Sequence, residues 1–235
     1  MSPDSPNVAV VTGGSRGIGK ATVNLFREQG WTVLAISRSL QDTAQTRSCD
    51  VGDEDAVRRV FEEIVTDLGK IDFLVNCAAT ASTERAMDST ATGWEEVLRT
   101  NLIGTFLCSK YALKDMLKRR FGKIVNVSSI AGRSYSRTAS VAYTSSKYGV
   151  IGLTRQLAAE FGPEGINVNC VCPSQTKTDM LVSKISEQKI KELQALVPLR
   201  RLAEPEEIAR TILFLVSKGA SYLNGAVIDI NGGQL

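Results

Sequence analysis

The chain has 235 residues, of which 43% are hydrophobic and 23% charged, and it contains no histidine. That length and balance suit one soluble globular domain with a full core, and the missing imidazole excludes Ser-His-Asp hydrolysis and HExxH zinc chemistry. A net charge of +3, with Lys118-Arg119-Arg120 as the one local basic run, is too weak and dispersed for a nucleic-acid surface.

The N-terminal "MSPDSPNVAV" has neither a basic leader nor a long apolar stretch, and no later run approaches a membrane span, so a cytoplasmic location is the default expectation. The first predicted strand, Val8 to Val11, leads into Thr12-Gly13-Gly14-Ser15-Arg16-Gly17-Ile18-Gly19 and a helical pattern over roughly 18–29. Glycines there let the backbone turn tightly and approach a pyrophosphate with no Cβ in the way, while the helix N-terminus offers N–H donors. Alone such a loop is a weak signal. Between a strand and a helix, at the head of an alternating chain, it reads as dinucleotide binding rather than a structural turn.

The second strand, Thr32 to Ile36, ends in Ser37-Arg38. An acid at that end would accept hydrogen bonds from a ribose 2′-OH, whereas arginine suits a 2′-phosphate, so Arg38 and Arg16 point to NADP(H); two solvated surface residues are the plainer alternative. The stretch from Ser37 to Arg47 is too short for a crossover helix, and a loop or short turn is expected there.

Further strands are expected at Ile71 to Asn76, Lys123 to Val127, Ile166 to Val171 and Ala226 to Ile230. Helices are expected at roughly 53–68, 94–119, 142–161 and 205–217, the last opened by proline and acids in Glu204-Pro205-Glu206-Glu207. Several strands are continuously apolar, as befits strands covered on both faces. The alternation runs from end to end without linker or repeat. It predicts an α/β fold: one Rossmann-type domain over 1–235, with a doubly wound, mostly parallel sheet of about seven strands and helices on both faces. Five cysteines, an odd number with no C-x-x-C pair, suggest neither a disulfide framework nor a zinc cluster, and no metal site is expected.

Without histidine, another side chain must move protons. Of the five tyrosines only Tyr143 has a lysine four residues later, Lys147 in "YTSSK", which puts both on one helix face. A free phenol is a poor acid at neutral pH, but a nearby ammonium and an oxidised nicotinamide both stabilise the phenolate, so Tyr143 could exchange a proton with a carbonyl or alcohol oxygen. An isolated Tyr and Lys on an amphipathic helix would be unremarkable. Here the preceding strand ends in Val127-Ser128-Ser129, placing hydroxyls at the sheet's carboxyl edge, where ligands bind in such folds.

Together, "TGGSRGIG", "CDV", "NCAA", "TNLIGTF", "IVNVSS", "YTSSK" and "INVNCVCPSQTKTDM" resemble the short-chain dehydrogenase/reductase family over nearly the whole chain, with the nearest likeness to 3-oxoacyl thioester reductases. The resemblance implies that Tyr143 is the acid/base and that Lys147 also binds the nicotinamide ribose. It implies that Ser129, rather than Ser128, polarises the substrate oxygen. Asn101 would hold a water in a proton relay, or else be a buried polar residue satisfying helix backbone groups. The implied cofactor contacts are Gly13, Ser15, Arg16, Gly17, Ile18, Gly19, Ser37, Arg38, Asp50 and Val51 at the adenine, Asn76, Ala78, Pro173, Thr176 and, at the nicotinamide amide, Thr178. Two family glycines are replaced, by Ala79 and Ser174, and Ser174 would be strained if the turn needed a positive φ.

The resemblance implies NADPH-dependent reduction of a ketone to a secondary alcohol, first of all a 3-oxoacyl thioester. A keto-sugar, polyol or other small ketone is the alternative, and a non-catalytic NADP-binding regulatory protein the second. Enoyl reductases of the superfamily, with a wider Tyr-to-Lys spacing, are disfavoured. An acyl carrier protein is an open partner: Arg120 matches one basic docking position, but Glu164 at the other has the wrong sign. The ending "SYLNGAVIDINGGQL" implies a homotetramer or homodimer, and Thr176 to Val197 occupies the place of a helical lid, with a pair of surface helices as the alternative.

Overall fold

The computed structural model describes residues 6–178, 181 and 186–235. Its seven strands are β1 (Val8–Thr12), β2 (Thr32–Ile36), β3 (Thr46–Arg47), β4 (Phe73–Asn76), β5 (Gly122–Val127), β6 (Ile166–Pro173) and β7 (Val227–Ile230). They form one sheet in the order β3-β2-β1-β4-β5-β6-β7, every pairing parallel. The chain winds outward in both directions from β1, so a crevice opens beyond the carboxyl ends of β1 and β4, where Thr12 pairs with Asn76.

The helices are α1 (Gly17–Glu28), α2 (Glu54–Leu68), α3 (Ala91–Leu98), α4 (Gly104–Arg119), α5 (Val141–Phe161), α6 (Glu187–Leu196) and α7 (Pro205–Val216). Because side chains alternate along a strand, each central strand feeds two cores. Val10, Leu34, Leu74 and Ile124 pack with α2 and α4, and Val11, Val33, Val75 and Val125 with α1 and α7. Helix α7 shows how pattern becomes packing: Ile208, Ile212 and Leu215 recur at helical spacing and are fully buried, each contributing about 1.5–3 kcal/mol. Its start is fixed by Pro205 and by the Glu207 carboxylate, which accepts the Glu204 N–H at 2.9 Å. No helix of the described residues is long and apolar enough to cross a membrane.

Two elements differ from expectation. The helix expected over 94–119 is divided into α3, a π turn at Arg99–Ile103, and α4. The extra residue of a π turn leaves the apolar stripe nearly in phase, so periodicity passes over it. The stretch 37–47, expected as a loop or short turn, holds at its end the edge strand β3, whose Thr46 and Arg47 pair with Ala35 and Ile36. Part of the expected lid segment, 179–180 and 182–185, lies outside the described residues; in the described part, Glu187–Leu196 forms α6.

At the opposite end of the sheet a charged cluster ties α4 to β4. Arg119 donates to Asp115 Oδ2 at 3.0 Å and Asp72 Oδ1 at 2.9 Å, and also to the Ile71 carbonyl. The same carboxylates accept the N–H groups of Val8 and Ile71, both at 2.9 Å. Lys70 also pairs with Asp72 Oδ2 at 2.9 Å, so removing the guanidinium leaves Asp72 with that ammonium but takes from the nearly inaccessible Asp115 its Arg119 partner. Arg119→Met is expected to cost about 3–5 kcal/mol in urea unfolding; a loss below 1 kcal/mol, of the size usual for surface pairs, would show the cluster to be dispensable.

Candidate active site

A cleft of about 350 Å³ opens at the carboxyl edge of the sheet. One end is built by the glycine turn between β1 and α1. Gly13 has φ +67°, and a Cβ on it would lie 2.8 Å from the Ala78 nitrogen, so only glycine lets the turn close on the β4 exit. That exit is itself held by Thr12 Oγ1, which accepts the Cys77 and Ala78 N–H groups at 3.1 and 3.2 Å. Arg16, the N-cap of α1, makes no side-chain cap, and the first turn has no acid. The leading N–H groups of α1 therefore have no side-chain carboxylate to satisfy them, as an anion site requires.

Beyond the turn, Ser15, Ser37 and Ser39 form a closed ring of hydroxyls with sides of 3.1, 3.2 and 3.3 Å. Arg16 and Arg38 line the same end of the cleft. Asp50, also on the wall, accepts the Gly52 N–H at 3.0 Å and the Arg99 guanidinium at 2.9 Å. Partial burial pushes its carboxyl up, but those two donors outweigh it and hold it below the usual range, so it stays ionised at neutral pH.

At the other end stand Tyr143, Lys147, Ser128 and Ser129. Helix α5 begins at Ser140, whose Oγ accepts the Tyr143 N–H at 3.2 Å and fixes the turn that presents the phenol. Lys147 is 3% exposed; its Nζ donates to the Val127 carbonyl at 2.9 Å and sits 5.6 Å from the Tyr143 ring centroid. Ser128 and Ser129 divide the work. Ser128 Oγ spends its proton on the Lys147 carbonyl at 2.8 Å, clamping α5 to β5. Ser129 Oγ accepts the Ala131 N–H at 3.1 Å, which leaves its own proton for a ligand. The cleft is also lined by two thiols, Cys49 and Cys77, both pushed up to about 11 chiefly by burial. They remain protonated at neutral pH and present no thiolate.

Most of the expected contact residues line this cleft: Gly13, Ser15, Arg16, Gly17 and Ile18 on the turn; Ser37, Arg38, Asp50, Val51 and Ala78 around it; and Ser129, Tyr143, Lys147, Pro173, Thr176 and Thr178 at the far end. Three do not. Gly19 is a packing residue: a Cβ there would lie 2.2 Å from the Gly13 carbonyl oxygen. The Asn76 amide turns into the core, donating to Asn126 Oδ1 at 2.9 Å and Ser109 Oγ at 3.0 Å. Asn101, in the π turn, donates to the Thr80 carbonyl and Ser146 Oγ, both at 3.0 Å, and accepts the Thr80 N–H at 2.8 Å. Its amide thus braces the loop after β4 against α5, satisfying loop rather than helix backbone.

Ser174 does not have a positive φ, so the serine in place of glycine is unstrained. Three features escaped the sequence reading: Ser39 in the hydroxyl ring, Gln175 on the wall, and Ser136 and Thr138 in the loop before α5. Ser39 could have been found from its spacing two after Ser37; the others depend on how loops fold back.

Since a Cβ on Gly19 meets backbone rather than a flexible side chain, Gly19→Ala must displace the turn. The expected loss is about 1–3 kcal/mol in urea unfolding, together with weaker nucleotide binding by fluorescence titration. Unchanged values on both counts would mean that the turn yields freely.

An all-parallel sheet whose topological switch point carries a glycine turn, with a serine, a tyrosine and a lysine across the same cleft, defines an oxidoreductase that works with a bound dinucleotide. Residues 13–234 match the family model described as Enoyl-(Acyl carrier protein) reductase. The chain is 37% identical to the 3-oxoacyl-[acyl-carrier-protein] reductase FabG of Aquifex aeolicus, over 97% of this chain and 96% of that one. It is 38% identical to carbonyl reductase family member 4 of Xenopus laevis, over 96% and 97%. Among solved structures it superposes on the aldohexose dehydrogenase of Thermoplasma acidophilum with a TM-score of 0.90 at 31% identity, covering 97% of this chain and 94% of that one. An ElxO variant with NADPH bound gives a TM-score of 0.91 at 31% identity, covering 98% and 99%. The chain belongs to the short-chain dehydrogenase/reductase family.

Proposed function

We propose that the protein reduces a ketone to a secondary alcohol with NADPH. The observation that carries this reading is that Tyr143, Lys147 and Ser129 share one cleft with the Gly13–Ile18 turn. The cradle fits a dinucleotide: Gly13 and Gly17 have positive φ, and the α1 N-terminus lacks a side-chain cap. Bound NADPH would supply the hydride. The chain supplies the rest. Ser129 donates a hydrogen bond to the carbonyl oxygen and orients it, and Tyr143 gives that oxygen its hydroxyl proton. Lys147, anchored on the Val127 carbonyl, stabilises the phenolate left behind. The Ser15–Ser37–Ser39 ring and the guanidinium groups of Arg16 and Arg38 suit a 2′-phosphate, which favours NADPH over NADH. The test is loss of NADPH absorbance on a panel of ketones and short 3-oxoacyl thioesters; no turnover on any of them would overturn the reading.

Short 3-oxoacyl thioesters come first among substrates because several similar proteins carry that activity in their names. A second reading, a small hydroxylated ketone such as a keto-sugar, is favoured by the neighbourhood of Arg120. Its guanidinium donates to Glu164 at 3.1 Å and to the Pro163 carbonyl at 2.8 Å, so the one basic docking candidate is already neutralised. Carriage of the substrate on an acidic carrier protein is therefore expected to change kcat/KM by no more than about twofold relative to a small-thiol thioester. Glu164→Arg should raise the carrier-bound rate several-fold at low salt. A large carrier preference in the unaltered protein would restore the docking assignment. Edge strand β7 and the exposed Phe214 on α7 support assembly into a homodimer or homotetramer through this end of the fold, which sedimentation would reveal.

A further inference from the structure

The cleft contains one buried polar atom that neither the dinucleotide cradle nor the proton chemistry uses. Gln175 lines the cleft, and its Oε1 is buried and, among the described residues, has no hydrogen-bond partner. A buried amide oxygen that has given up water with nothing in return is unfavourable, and such an atom on a residue that lines a ligand cleft is a candidate acceptor for a ligand's donor.

The backbone around it is pinned. Ser174 N–H donates to the Ile230 carbonyl at 3.0 Å, Ala203 N–H to the Gln175 carbonyl at 3.0 Å, and Lys177 N–H to the Ala203 carbonyl at 2.8 Å. Gln175 thus continues the line of β6 past its end and is held like a strand residue, which gives its side chain a fixed base. The register sets its neighbourhood. Val127, two residues before Ser129, pairs with Val171, four residues before Gln175, and Ser129 and Gln175 line the same cleft. The cleft lining also carries the hydroxyls of Thr83, Ser136 and Thr138, alongside the apolar Ala81, Ile130, Ala139 and Leu181.

We propose that Gln175 accepts a hydrogen bond from a substrate hydroxyl close to the carbonyl that is reduced, and so selects hydroxyketones and keto-sugars over alkyl 3-oxoacyl thioesters. The proposal rests on the ketone-reductase reading and names its substrate class. Next to its reacting carbonyl a 3-oxoacyl thioester offers only C–H groups and a second carbonyl. It would leave Oε1 unmatched and bring another acceptor toward it. A hydroxyl on the adjacent carbon supplies the missing donor.

The experiment compares matched ligands on the full protein. Calorimetry on the NADP⁺-saturated enzyme measures a small vicinal diol against the mono-alcohol of the same carbon skeleton, and steady-state kinetics measures the corresponding hydroxyketone, plain ketone and short 3-oxoacyl thioester. The expected preference for the hydroxylated ligand is about tenfold or more in Kd and kcat/KM. Gln175→Met should abolish the preference while leaving the Kd of NADP⁺ within about twofold, and Gln175→Glu, which keeps an acceptor, should retain most of it. Equal affinities in the unaltered protein, or a preference that survives Gln175→Met, overturn the proposal. So does Gln175→Met weakening NADP⁺ itself by the full factor, since the partner would then be the cofactor's own carboxamide. A binding preference without turnover of any ketone overturns the ketone-reductase reading and leaves the contact standing.

Discussion

Replacing Tyr143 by phenylalanine is expected to lower kcat/KM for every ketone the protein reduces by roughly 10²–10⁴-fold, the usual range for losing a positioned general acid. The substitution is well suited to isolate chemistry from structure. The ring stays, the Ser140 cap to the Tyr143 N–H is a backbone contact, and Lys147 keeps its bond to the Val127 carbonyl. NADPH affinity by fluorescence titration and the unfolding midpoint should therefore stay close to those of the unaltered protein. No imidazole exists anywhere in the chain to take over the proton. Activity that survives with folding intact would remove Tyr143 from the role of acid.

The second large effect concerns the cofactor. The doubly substituted Arg16→Ala/Arg38→Ala protein should lose most of any preference for NADPH over NADH, by roughly 10²-fold or more, because each charge-assisted hydrogen bond to a 2′-phosphate contributes about 1.5–3 kcal/mol. The loss should fall on NADPH, with NADH affinity nearly unchanged, and should shrink as salt rises. Ser39→Ala tests the hydroxyl ring separately, with a smaller expected loss of about 0.5–1.5 kcal/mol. Equal affinities for the two cofactors before any substitution would reject the assignment at once.

Much of this site is legible in residue order because its parts are local. The glycine turn must follow one strand and precede one helix, and Tyr143 and Lys147 share a face through helical spacing alone. Helix α7 announces its own boundaries with proline and acids. What was illegible depends on small offsets or on partners far away in sequence. The π turn at Arg99–Ile103 adds a single residue to an otherwise regular stripe, and β3 is a strand only because β2 lies beside it. The resemblance implied a cofactor contact for Asn76, at the end of β4, yet its amide finds Asn126, on the neighbouring strand, and Ser109 on α4.

The sequence by itself determined the α/β alternation, the dinucleotide turn and the tyrosine–lysine pair, since propensity, periodicity and glycine sterics act over a few residues. Only the tertiary structure decided that Ser128 spends its proton on the Lys147 carbonyl, that Arg120 is already paired with Glu164, and that Gln175 carries an acceptor unmatched among the described residues. Those outcomes are set by hydrogen-bond competition among groups brought together by folding, and a donor's availability cannot be known until all its neighbours are in place.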